Sequence, residues 1–97
     1  MNFSFHPEAE EEFYKAIDYY EMCENGLGYD FSIEIYCTIQ SIIEYPNAWS
    51  ILEDNIHRCL TNRFPYGILY SIETNEILIL AVMNLHRGPN YWKERIP

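Results

Sequence analysis

Near its C-terminal end the sequence places His86 beside Arg87, with Tyr91 a few positions on and Arg58 and Arg63 upstream. These are the side-chain types needed to cleave an RNA strand through its own 2′-hydroxyl. An imidazole titrates near neutrality and can take the hydroxyl proton. Guanidinium groups hold the charge developing on phosphorus through paired N–H donors, and a tyrosine can stack on a base or donate a hydrogen bond. His86, Arg87, Arg63 and Tyr91 are therefore the catalytic candidates, with Arg58 a further phosphate clamp. Arg58, Tyr66, Trp92, Lys93 and Arg95 are the candidates for contact with a partner. Each also has a structural alternative. His86 can bond the backbone at a strand end, Arg58 can pair with a helix carboxylate, Arg63 can brace the Phe64-Pro65 turn, and Tyr91 and Trp92 can cover the edge of the core. Neighbouring residues on a strand face opposite ways, so His86 and Arg87 converge only if the chain is already turning there. His6 and His57 read as structural.

The elements that must position these residues follow from periodicity. Asn2 to Phe5 alternates polar and aromatic residues, the period of a short half-buried strand. Pro7 suits a helix start, and Glu8, Glu10, Glu11 and Glu12 place negative charge where the helix dipole favours it. Ala9, Phe13, Ala16, Ile17 and Tyr20 then recur at spacings of three and four, predicting an amphipathic helix to about Cys23 whose acidic residues form a solvated face. Asn25-Gly26-Leu27-Gly28 breaks the period. A second apolar stripe, Phe31, Ile35, Ile39 and Ile42, predicts a helix from about Tyr29 to Glu44, stopped by Pro46.

Beyond Pro46 the pattern turns extended. Ile56 to Thr61 and Tyr66 to Glu73 read as strands, Thr74-Asn75 as a hairpin turn, and Ile77 to Met83 as a strand buried on both faces. The order β-α-α-β-β-β predicts a single α+β domain over residues 1–97, a helical hairpin on one face of a mainly antiparallel four-stranded sheet. The other face stays partly open. That face and the polar, cationic tail LHRGPNYWKERIP are where a partner is expected to dock.

Composition narrows the function classes. With 97 residues, 48% of them apolar, the chain can build one core. Three cysteines, with no C-x-x-C, argue against a disulfide framework or a structural zinc site and read as buried thiols. No apolar run approaches the roughly 18 to 20 residues of a spanning helix, and MNFSFHPEAE lacks the marks of a secretory signal, so a soluble cytoplasmic protein is expected. The net charge of −9 hides an asymmetry. Residues 1–54 carry twelve acids against Lys15, giving −11, while residues 55–97 carry five cations against three acids, giving +2. An anion-facing surface must lie in the second half. No metal-ligand spacing, phosphate-binding glycine loop or nucleophile elbow occurs, so no metal or cofactor is expected.

Four collinear segments, FHPEAEEEFYKAIDYYE, GLGYDF, RFPYGILY and ILILAVMNLHRGPNYW, resemble the RelE/ParE toxins of type II toxin–antitoxin systems over nearly the whole length. The resemblance implies the same β-αα-βββ fold. It also implies a cognate antitoxin whose C-terminal segment wraps the toxin in a hetero-oligomer. RelE-like members cut messenger RNA on the ribosome with a cluster of Arg, Lys, His and Tyr, the role in which His86, Arg87, Arg63 and Tyr91 would serve. ParE-like members lack that chemistry and poison DNA gyrase by binding it, and RFPYGILY and HRGPNYW lie closer to that side. A toxin of the ParE, plasmid-stabilisation type is the leading expectation. A RelE-like ribonuclease and an inactive interaction module remain open.

Overall fold

The computed structural model describes residues 1–88 and 90–97, so Pro89 of the HRGPNYW segment lies outside the described residues. A first strand, β1 (Asn2–Phe5), leads into helix α1 (Pro7–Cys23). Pro7 occupies the first helical turn, and the His6 ring caps the helix by accepting from the Glu8 N–H at 3.1 Å. Gly26 turns the chain in the left-handed region at φ 88°, and α2 (Leu27–Glu44) follows. The helices cross closely at Gly28, where a Cβ would lie 2.6 Å from the Ile17 carbonyl oxygen. Glu21 ties the turn by accepting from the N–H groups of Gly26 and Gly28.

The remaining chain forms β2 (Ser50–Glu53), β3 (Ile56–Leu60), β4 (Tyr66–Glu73) and β5 (Glu76–Asn84), in the spatial order β1-β5-β4-β3-β2. All neighbours are antiparallel except β1 and β5, which run parallel from Asn2 opposite Glu76 to Phe5 opposite Ile79. The fold is the expected α+β arrangement, but the sheet has five strands and not four. Ser50–Glu53 escaped the sequence reading because Ser50, Ile51 and Leu52 are all exposed. An edge strand with neither face buried carries no alternation of apolar and polar residues.

Two cores flank the sheet. Phe13, Phe31, Ile35, Ile39 and Ile42 of the helices meet Ile68, Tyr70, Ile77, Ile79 and Val82 on one face. On the other, Trp92 folds back over Ile56, Leu69, Leu80, Ala81 and Met83, so the tail covers part of the face expected to be open. Strand β5 serves both cores through a bulge. Leu69 pairs with Ala81 and Tyr70 with Ile79, leaving Leu80 as the extra residue that resets the alternation. Of the three cysteines only Cys59 is buried. Cys23 and Cys37 are exposed, because each falls outside the apolar stripe of its helix.

Candidate functional site

The candidate residues separate into three places. The most tightly built surrounds Glu12. Strand β1 ends at Phe5, the His6 N–H donates to the Ile79 carbonyl at 2.8 Å, and beyond that point no strand among the described residues continues along this edge of β5. Backbone groups left there without partners would be costly. Side chains supply them. The Val82 N–H donates to Glu12 Oε1 at 3.1 Å, and the Leu80 carbonyl at the bulge accepts from Arg95 Nη1 at 3.0 Å.

Glu12 and Arg95 are also locked to each other. Arg95 Nη1 donates to Oε1 at 2.9 Å and Nη2 to Oε2 at 3.1 Å, the parallel two-point geometry that suits guanidinium and carboxylate. Arg87 Nη1 reaches Glu12 Oε2 at 3.3 Å, and Glu8 lies 3.5 Å from Arg95 Nε. Tyr91 sits between the cations, with the Arg87 Cζ 3.7 Å and the Arg95 Cζ 5.0 Å from its ring centroid. Burial, reinforced by the negative charge of Glu12, pushes the Tyr91 phenol well above the ordinary tyrosine range. The phenol is therefore a poor source of a proton near neutrality, and its buried hydroxyl has no hydrogen-bond partner among the described residues. Tyr66 lines the hollow beside Glu12 and Arg87 while packing its ring on Phe31.

Glu12 is the residue that sequence reasoning missed. It belongs to the acidic run assigned to a solvated face, yet it lies three residues after Ala9 and four before Ala16, both buried. That spacing puts it on the apolar side of α1, and it was the available signal.

Arg63 stands elsewhere. Its guanidinium pairs with Asp30 at 3.1 Å and its backbone N–H, together with that of Phe64, donates to Glu34. It braces the Phe64-Pro65 turn against α2, at the edge of a groove lined by Tyr29, Ile33 and Cys37. The structure thus does not join Arg63 to the Arg87–Tyr91 group.

The third place is the far face of the sheet. Arg58, Arg87 and Lys93 surround a groove of about 520 Å³ whose walls include Leu52, Leu85 and Trp92. Lys93 pairs with Glu53 at 3.3 Å, and Arg58 has no carboxylate partner among the described residues. The chain does turn at His86. The Asn84 side-chain oxygen accepts from the His86 N–H at 2.9 Å, and the Asn84 carbonyl accepts from the Arg87 N–H at 3.0 Å. His86 is exposed, and among the described residues no hydrogen bond reaches its ring.

This architecture recurs in known structures. The chain superposes with a TM-score of 0.74 on a chain of the chromosomal ParDE toxin–antitoxin system from P. aeruginosa, covering 89% of this chain and 97% of that one. The chain shares the fold of that ParDE-system chain. At 14% sequence identity the two chains share the fold and little of the sequence that fills it. No family model matches the chain, and no curated protein matches it. No helix among the described residues is long and apolar enough to cross a membrane.

Proposed function

We propose that this chain is the toxin of a type II toxin–antitoxin pair and acts as ParE-like toxins do, by binding a protein target such as DNA gyrase. It works in the cytoplasm and is silenced there by a cognate antitoxin bound in a hetero-oligomer. One observation carries the choice of binding over catalysis. Of the cations that a nuclease would turn on phosphate, all but Arg58 are engaged by carboxylates of the same chain: Arg87 and Arg95 by Glu12, Arg63 by Asp30 and Lys93 by Glu53. Tyr91, the candidate for stacking on a base, has its ring against the Arg87 guanidinium.

A RelE-like message nuclease is the second reading, favoured by the exposed His86 in the turn beside Arg87. Controlled expression of the chain alone separates the two. The expected outcome is growth arrest with gyrase-linked DNA breaks and intact messages. Cut messages with intact DNA would transfer the assignment to the nuclease, and unimpeded growth would leave an interaction module.

A further inference from the structure

The groove on the far face of the sheet has a charge opposite to that of the molecule. The chain holds fifteen acids and only six Lys and Arg, yet three of those six, Arg58, Arg87 and Lys93, border this one groove, and Glu53 is the single acid among its lining residues. Its walls are apolar: Leu52 and Leu85 are 39% and 40% exposed there, large aliphatic side chains left in water. The two features are adjacent on the sheet. A Cβ on Gly67 would touch Arg58 Cγ, Leu60 Cδ2 and Leu85 Cδ2, each at 3.4 Å, so these three side chains converge over the same glycine.

Cations around an aliphatic wall match a ligand that is itself anionic and aliphatic. A nucleic-acid backbone is the poorer match, because its affinity grows with the number of phosphates neutralised and three cations are few. The aromatic rings that could stack a base are also occupied, since Trp92 is 4% exposed beneath the tail and Tyr91 lies against Arg87. Arg58, without a carboxylate partner among the described residues, is the residue that gains most from an incoming carboxylate.

We infer that this groove is a docking site for an acidic, leucine-rich segment of a partner protein, anchored by aliphatic side chains against Leu52 and Leu85 and fixed by a carboxylate on Arg58. The inference rests on reading the chain as a partner-binding protein and supplies the chemistry of one partner surface. Trp92 borders the groove, so a Trp49→Phe background leaves it as the one indole reporter.

The test titrates that protein with a short synthetic peptide of alternating leucine and glutamate. Parallel titrations use peptides with serine for leucine or lysine for glutamate, and single-stranded oligouridylate. The leucine-glutamate peptide is expected to change Trp92 fluorescence and the other probes to leave it unchanged. Arg58→Ala is expected to weaken binding about two- to fivefold, the range of a charge pair at the rim of an interface, and Lys93→Ala to weaken it less. Arg58 has no carboxylate partner among the described residues, so Arg58→Met, which keeps the aliphatic stem over Gly67, is expected to weaken binding as Arg58→Ala does while unfolding at the same denaturant concentration as the parent. Equal binding of the lysine peptide, indifference to both Arg58 substitutions, or no binding of any probe overturns the inference. Arg58-dependent binding of oligouridylate would also overturn it and give the groove to nucleic acid. Growth arrest by the chain is scored separately. Arrest without peptide binding defeats only the groove assignment, and peptide binding without arrest defeats only the toxin assignment.

Discussion

Glu12 and Arg95, 83 residues apart in sequence, meet through two parallel hydrogen bonds of 2.9 and 3.1 Å and together close the edge of β5 that β1 leaves uncovered. The pair joins the first helix to the tail, and each member also holds a backbone group of β5. Positioning of Arg87, Tyr91 and Trp92 depends on it, because the tail that carries them is tied down at Arg95.

Breaking this pair from one side is expected to be severe. With side chains only 7% and 14% exposed, removing one partner strands the other charge and a backbone group in a poorly solvated place. Arg95→Met and Glu12→Met are each expected to cost about 3 kcal/mol in urea unfolding. The double substitution is expected to cost clearly less than the sum of the two. Additive losses would mean the two residues act independently.

Three glycines, Gly26 and Gly28 of the helical hairpin and Gly88 of the tail, carry a second expectation. Gly28→Ala forces a Cβ to within 2.6 Å of the Ile17 carbonyl oxygen, so the helices must part, at about 1–3 kcal/mol. Gly26→Ala places a side chain at φ 88° and is expected to cost about 1–2 kcal/mol although nothing crowds it. Gly88→Ala, with open space and no positive φ, is expected to be neutral within about 0.5 kcal/mol. Denaturant midpoints of the three variants give the order directly.

Much of this was legible in the sequence because burial leaves a period. The stripes Ala9-Phe13-Ala16 and Phe31-Ile35-Ile39-Ile42 gave both helices, Gly26 gave the turn between them, and the apolar run after Glu76 gave β5. What lacked a period was missed. Ser50–Glu53 is exposed on both faces, and the return of Trp92 onto the sheet depends on Arg95 finding Glu12, a contact that no local pattern encodes. Of the candidate site residues, Arg87, Tyr91 and Arg95 gather around Glu12, Arg58, Trp92 and Lys93 border the far groove, and Arg63 stands apart on the helix side. Distribution of that kind follows from tertiary pairing of charges.

Thiol chemistry reports the packing of α1, α2 and β3. Cys23 and Cys37 are exposed and Cys59 is buried. In the native protein a thiol-specific reagent is expected to modify two cysteines quickly, and the third only on unfolding. Fast reaction of Cys59→Ser at a single site, or of all three sites in the parent, would contradict this placement.

Alkaline pH is expected to destabilise the protein. Burial pushes the Cys59 thiol from an ordinary 9 up to about 11. Between those values the unfolded chain loses the proton while the folded chain keeps it, so stability is full below pH 9 and falls as pH rises towards 11. Tyr70 and Tyr91, whose phenols burial also pushes up, extend the decline above pH 10. Unfolding free energies measured from pH 8 to 11 should fall, and Cys59→Ala should flatten the first part of the fall.

In the proposed function the chain acts by occupying a partner and not by acid–base chemistry at His86. Expression of the His86→Ala variant tests this most directly, with arrest of growth measured beside the parent at matched protein level. Arrest equal to that of the parent is the result expected. Loss of arrest in a variant that still folds, while the parent arrests growth, would contradict the account and return His86 to the centre of a catalytic site.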